Sequence, residues 1–120
     1  MEKIDFDTFN KIKERMKAKF PVLLEGYIKD CKGYLATIEI NIPDGDLKGL
    51  IEATHSMKSA SGLLGVVHVH KAAETLEYAG KDMLENPSGN FESLRQYFIG
   101  LQDSFSSVEA DLRTELSKVS

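Results

Sequence analysis

The sequence is short of cysteine and of long hydrophobic runs. Cys31 is the single cysteine among 120 residues, so no intramolecular disulfide can form, and a reducing compartment suits the chain. No apolar run approaches the roughly 20 residues that a membrane-spanning helix needs. The N-terminal segment MEKIDFD is too polar for a secretory signal. Together these absences predict a cytoplasmic protein.

The chain also lacks an excess of basic residues. It has 15 lysines and arginines against 19 aspartates and glutamates, which gives a formal net charge of −4. Proteins that bind nucleic acids or anionic membranes generally present a basic surface, and we expect neither partner here. The length and the 42% of hydrophobic residues suffice for one core. Residues 1–120 are therefore expected to form a single domain.

What the sequence does have is helical periodicity, with apolar residues at spacings of three and four. The predicted helices span residues 7–19, from 20 to about 42, 46–64, 67–84 and from 91 to about 119. Connections this short place successive helices antiparallel. We therefore expect an all-α, antiparallel, up-down four-helix bundle with a short additional N-terminal helix.

The end of the second predicted helix is the least regular part of the pattern. Thr37 to Ile42 alternates polar and β-branched residues as a strand would. No second strand is available to pair with it, so we interpret it as the fraying end of a helix. Pro43-Asp44-Gly45-Asp46 and the segment 86–90 predict turns. The apolar stripes are used up inside the bundle, which favours a monomer.

The third predicted helix carries a face that packing does not explain. At 100° per residue its apolar residues form one stripe, and His55 points almost opposite to it. Lys58 follows at i+3 and Ser59 at i+4, separations that bring helical side chains into contact. A neighbouring ammonium group disfavours protonation of the ring, and a neutral imidazole is a nucleophile. The same ammonium can hold a phosphoryl group by a charge-assisted hydrogen bond.

The segment from Thr54 to Gly65, THSMKSASGLLG, resembles the motif of the histidine phosphotransfer (HPt) domain family. That motif has a hydrophobic residue two positions after its histidine, a lysine at the third, small residues at the fourth to sixth, and Gly or Ala at the tenth. Asp46 and the later stretch 72–77 also match the family, whereas Ser59 stands where a glycine is common. The resemblance implies a four-helix bundle that carries the histidine on one helix.

The resemblance implies that His55 accepts a phosphoryl group from a receiver-domain aspartate and passes it to another receiver, while Lys58 stabilises that group. The partners would be receiver domains of response regulators or of hybrid histidine kinases. Mg²⁺ would be bound by the receiver, and no cofactor by this chain. A Gly-rich phosphate loop and a Walker motif are both missing from the sequence. We therefore expect a phosphoryl carrier without ATP-dependent kinase activity of its own.

Glu77 is the candidate for orienting the histidine ring. The third and fourth helices reverse direction near Gly65, and Glu77 lies about as far after that turn as His55 lies before it. The two side chains should therefore be neighbours. A hydrogen bond to one ring nitrogen would then set the tautomer, although an ordinary solvated glutamate fits the sequence equally well.

The surface that binds the partner is expected around His55. Ile51 lies one turn earlier on the outer stripe, and Lys81 suits an acidic receiver surface. Ser59 and Gly62 are small enough to let a partner come close. Ile51 and Lys81 could also be ordinary surface residues with no such role.

The sequence contains three other side chains that could bind a metal or react, and each is expected to have only a structural role. His68 and His70 are two positions apart and face different directions on a helix, which makes them poor chelators. We therefore expect no metal site. Cys31 falls on the core stripe of the second helix, where a packed thiol is expected.

Two other interpretations stay open from the sequence. One is a helical-bundle adaptor that binds a receiver or kinase without being phosphorylated. Another is the phosphoacceptor domain of a chemotaxis-type histidine kinase, which has a similar His-x-x-Lys helix but normally continues into dimerisation and ATP-binding domains. The end of this sequence at Ser120 favours a stand-alone protein or a domain of a hybrid kinase.

Overall fold

The computed structural model of the chain describes residues 2–87 and 89–119, which form five α-helices, a short 3-10 turn at Lys17–Lys19 and no strand. The helices are α1 (Phe6–Met16), α2 (Phe20–Asp44), α3 (Leu47–Leu64), α4 (Val67–Glu85) and α5 (Phe91–Val119). α2 to α5 form the bundle, and α1 packs against α2 and α3. The expected all-α bundle is confirmed. Within the described ranges, no helix is long and apolar enough to cross a membrane.

α2 is longer and more regular than the sequence pattern suggests. The alternating segment Thr37 to Ile42 is helical throughout, with Ile38 and Ile42 buried one turn apart. The turn expected at Pro43 begins instead at Gly45, whose φ of 71° ends the helix in the left-handed region. Pro43 removes one helical hydrogen bond, but it lies one residue before the end of α2, so hardly any helix follows that its ring could bend. Burial of the two isoleucines overrides the strand-like pattern.

The turn between α3 and α4 is closed by the N-terminal segment. Gly65 takes a φ of 80°, and its carbonyl accepts a 2.7 Å hydrogen bond from the backbone N–H of Asp5. The backbone N–H of His68 donates to the carbonyl of Lys3 over 3.1 Å. Asp5 also caps α1 through its side chain, and Phe9 of α1 is fully buried. The N-terminal segment therefore seals this end of the bundle.

The core is formed by the apolar stripes of the helices. Cys31 is fully buried, and burial raises the pKa of its thiol to about 12. The hydroxyl groups of Tyr27 and Ser61, both buried, share a hydrogen bond of 2.6 Å. Phe91 shares the apolar spacing of α5 but is 37% exposed, because it is the first residue of the helix and lies at the edge of the core.

Replacement of Gly65 by alanine is expected to destabilise the fold by about 1–3 kcal/mol. The left-handed backbone disfavours a side chain, and a Cβ there would lie 2.9 Å from the Asp5 carbonyl oxygen. Gly33→Ala is the matched control, since a Cβ at this α2 position would meet no described atom within 4 Å. It is expected to stabilise the protein by about 0.5–1 kcal/mol. Urea unfolding measures both changes, and a Gly65→Ala protein as stable as the wild type would contradict the first.

Candidate functional site

The side chain of His55 projects from the middle of α3 into solvent. It is 60% exposed, whereas its neighbour Thr54 and the following Met57 are fully buried. Thr54 donates a 2.9 Å hydrogen bond to the carbonyl of Leu50, and Asp46 caps the start of α3 by accepting from the N–H of Gly49. The imidazole is therefore presented by a helix whose buried side and first turn are both fixed.

Glu77 of α4 contacts the inner edge of the imidazole. Its side chain is completely buried, and its Oε2 lies 3.0 Å from Nδ1 of His55. An ionised carboxylate can only accept a hydrogen bond, so Nδ1 must carry the proton. In the neutral ring Nε2 is then left with a free lone pair. The structure thus brings together the histidine and the glutamate that the sequence placed on opposite sides of the α3–α4 turn.

Two lysines pair with the same buried carboxylate. Lys58 Nζ lies 2.7 Å from Glu77 Oε1, and Lys81 Nζ lies 3.1 Å from Oε2. Burial opposes ionisation of Glu77, but the adjacent ammonium groups of Lys58 and Lys81 and the hydrogen bond from His55 outweigh it and lower the pKa of the carboxyl group. The same carboxylate raises the pKa of Lys58. The site is therefore a buried anion with two ammonium groups and an imidazole around it.

Tyr78 is part of this site, although the sequence analysis did not single it out. The centre of its ring lies 5.4 Å from Lys58 Nζ and 5.8 Å from Lys81 Nζ, within the range of cation–π attraction. The side chain is 53% exposed. Its position next to Glu77 and three residues before Lys81 is the sequence signal that could have placed it here.

The residues expected on the partner surface differ in how far they are exposed to solvent. Ser59 is exposed, but Ile51 is half-buried and packs against the core. The interpretation that Ile51 faces outward without a role in the bundle is therefore wrong, while its contact with a partner stays a prediction. The reason is close packing of α3 on α4, where a Cβ added at Gly80 would lie only 3.2 Å from Ile51 Cγ1. Lys81 points to the buried carboxylate while keeping half of its side chain exposed.

Gly62 is in contact with a histidine of α4. His70 lies across this position, so that a Cβ at Gly62 would come within 3.0 Å of His70 Nδ1. That nitrogen donates a 2.9 Å hydrogen bond to the backbone carbonyl of Lys58. Gly62 is still exposed on its outer side. Its small size therefore has an internal cause, which is the room needed by the imidazole of His70.

The described residues hold no group of three or more histidine, cysteine, aspartate or glutamate side chains that could bind a metal ion. His68 and His70 do not act as a pair. The Nδ1 of His70 is used by the Lys58 carbonyl, whereas that of His68 is buried at the start of α4. What the site offers chemically is a nucleophilic nitrogen next to ammonium groups.

A family model described as "Hpt domain" matches residues 22–117 of the chain. The chain belongs to the Hpt domain family. Its fold is similar to the crystal structure of histidine-containing phosphotransfer protein B (HptB) from Pseudomonas aeruginosa PAO1, with a TM-score of 0.87 and 20% sequence identity. The likeness covers 97% of this chain and 96% of that one, and at this identity it shows a common fold. Among curated proteins, no sequence matches significantly.

In this Hpt domain the neutral ring of His55 is expected to carry its proton on Nδ1. Nitrogen-detected NMR of the imidazole distinguishes a protonated ring nitrogen from one with a free lone pair. Glu77→Gln should weaken the preference for protonation of Nδ1 over Nε2, because an amide oxygen accepts a hydrogen bond less strongly than a carboxylate. His70 is the internal control, since its Nδ1 donates to the backbone carbonyl of Lys58, a bond in which residue 77 takes no part. A wild-type His55 protonated mainly on Nε2 would contradict the assignment.

Proposed function

We propose that this Hpt domain carries a phosphoryl group on Nε2 of His55 between receiver domains of a phosphorelay. The observation that supports this most is the hydrogen bond between Nδ1 and the buried carboxylate of Glu77, because it leaves the exposed ring nitrogen as the nucleophile. Family membership supports the same reaction. The donors and acceptors we propose are receiver domains of response regulators or hybrid histidine kinases, in the cytoplasm.

The transfer step follows from this geometry. The Nε2 lone pair of His55 attacks the phosphorus of an aspartyl phosphate, and an N–P bond forms as the P–O bond to the aspartate breaks. The bonding pair leaves with the aspartate carboxylate. Nε2 carries no proton, so none has to be removed before the attack. The positive charge that develops on the ring is balanced by Glu77, which keeps the Nδ1 proton in a hydrogen bond.

Lys58 is proposed to stabilise the transferred group. It lies one helical turn after His55, on the same side of α3, and like any lysine it is charged at neutral pH, a state that Glu77 favours further by raising its pKa. In-line phosphoryl transfer depends mainly on positioning and on stabilising the negative charge of the phosphoryl oxygens. The acidic cluster and the Mg²⁺ that such a reaction uses are proposed to belong to the receiver, and the present chain to contribute the nucleophile and a cation.

His55→Gln is expected to abolish phosphoryl acceptance, because an amide is not a usable nucleophile. Its effect on the free energy of unfolding should be small, since the side chain is mostly exposed. Lys58→Ala should slow acceptance by about 10- to 150-fold, the range for one charge-assisted hydrogen bond of 1.5–3 kcal/mol. Solvent around the site should place the result near the lower end.

A transfer assay with phosphorylated receiver domains, followed by acid- and alkali-stability of the bound phosphate, checks this prediction. His68→Gln is the matched control and should accept phosphate like the wild type. Phosphate on His68 or His70, or normal labelling of the His55→Gln protein, would show that another face is active. A chain that binds the receiver but is never labelled would be an adaptor instead.

The receiver surface is proposed to extend from His55 along α3 towards a groove that Ala60 and Leu63 of this helix help to line. The groove lies between α1, α2 and α3, has a volume of about 430 Å³ and is lined mostly by apolar side chains. Leu63 and Val22 stand at its edge with 74% and 73% of their surface exposed. Leu63 is eight residues after His55, about 12 Å along α3. A typical interface of about 800 Å² per partner, centred on His55, would reach Leu63.

Leu63→Glu is therefore expected to raise the receiver concentration at half-maximal transfer by about 5- to 30-fold, the effect of 1–2 kcal/mol at an interface residue. The maximal rate should change little, because Leu63 does not contact the reacting atoms. Ile99→Glu is the matched control, since Ile99 is 48% exposed on α5, a helix that does not line this groove. Equal effects of the two substitutions would place the receiver elsewhere.

A further inference from the structure

Glu77 has one more positive partner than a single negative charge requires. The buried carboxylate is contacted by the ammonium groups of both Lys58 and Lys81, at 2.7 and 3.1 Å. A buried carboxylate is generally paired, and one cation is enough to balance its charge. The second ammonium group is therefore in excess as long as His55 carries no phosphoryl group.

The two lysines approach Glu77 from different helices. Lys81 lies four residues after Glu77 on α4, so its ion pair is local and independent of the position of α3 side chains. Lys58 comes from α3, three residues after His55, and its side chain is 17% exposed against 51% for Lys81. Lys58 is thus placed to move from Glu77 to a phosphoryl group on His55, whereas Lys81 is placed to remain paired with Glu77.

We propose that Lys81 is a positioning residue: it keeps Glu77 paired when Lys58 leaves the carboxylate to bind the phosphoryl group on His55. The inference rests on the proposed function and extends it. It also gives Lys81 an internal role in place of the contact with an acidic receiver that the sequence suggested.

The charges of the site explain why a second lysine is needed. A phosphoryl group brings a charge of about −1.5 to −2 to the site. With Lys58 alone, the positive charges of the phosphorylated ring and of one ammonium group would face both the phosphoryl oxygens and a completely buried carboxylate, which together carry more negative charge. An uncompensated buried charge is strongly unfavourable, so Lys58 would stay on Glu77. With Lys81 present, both anionic groups have a cation.

Tyr78 is compatible with this exchange. Its exposed ring lies within 6 Å of both ammonium groups. Lys58 therefore keeps a cation–π contact nearby when its ion pair with Glu77 lengthens. No covalent bond is made or broken in the exchange, and the N–P bond forms on His55 as described above.

The test compares the transfer kinetics of Lys81→Met, Glu77→Gln and the Glu77→Gln/Lys81→Met double variant with a phosphorylated receiver domain. Lys81→Met should lower the maximal rate by about 10-fold or more, and leave the half-saturating receiver concentration unchanged. In the Glu77→Gln background Lys81→Met should slow transfer by no more than about twofold, because a neutral amide needs no cation and Lys58 is then free to bind the phosphoryl group. Lys81→Arg should restore most of the rate, since a guanidinium can also pair with Glu77.

Lys71→Met is the matched control. Lys71 is exposed on the same helix, and it forms no ion pair with any residue in the ranges 2–87 and 89–119. It should transfer like the wild type. A Lys81→Met protein with a normal maximal rate would overturn the inference, and so would a rate loss from Lys81→Met that persists in full in the Glu77→Gln background. A change confined to the half-saturating concentration would also overturn it, by making Lys81 a receiver contact.

These outcomes are distinct from failure of the proposed function. If the wild-type protein carries phosphate on His55 and Lys58→Ala slows its acceptance, the effect of Lys81→Met decides the inference alone. If the wild type is never labelled on His55, both proposals are rejected. If Lys58→Ala transfers at the wild-type rate, the role of Lys58 is wrong and the exchange at Glu77 is rejected with it.

Discussion

The buried carboxylate of Glu77 is the constraint on which the rest of the site depends. A charge with no solvent exposure persists only where cations and hydrogen-bond donors surround it. Here those partners are the imidazole of His55 and the ammonium groups of Lys58 and Lys81. Pairing this one anion therefore determines the tautomer of the exposed histidine and the resting position of both lysines. The buried carboxylate of Glu77 fixes the positions of the surrounding side chains, while Nε2 of His55 is left without a partner in the site.

The site requires α3 and α4 to pack closely, and the bundle provides this close packing. Gly80 lets α4 pack tightly against α3, since a Cβ there would lie 2.8 Å from Leu50 Cδ2. Gly65 reverses the chain in a left-handed conformation, and the N-terminal segment ties that turn through the Asp5–Gly65 hydrogen bond. Functional groups mounted on packed helices are held more precisely than groups on loops. A site open to a large partner can thus remain ordered without being enclosed.

Several local features were overridden by packing. The strand-like alternation of Thr37 to Ile42 is helical because Ile38 and Ile42 are buried one turn apart in the bundle. Ile51 was expected to face outward from its angle on α3, yet it is half-buried. The angular position of a residue on its own helix does not predict how much of that residue a neighbouring helix covers. Both differences arise from packing against a neighbouring helix. The hydrophobic periodicity of one helix does not describe how closely its neighbour packs against it.

The sequence by itself determined the helices, the bundle and the outward direction of His55 with Lys58 one turn later, because 3.6-residue periodicity sets the direction of each side chain around its own axis. Counting residues from the turn at Gly65 also placed Glu77 near His55. Only the tertiary structure decided that Glu77 is fully buried, that Lys81 turns inward to it, and that Tyr78 lies against both lysines. Burial and the pairing of charges depend on the distance and rotation between helices, and these are set by the packing of the whole core.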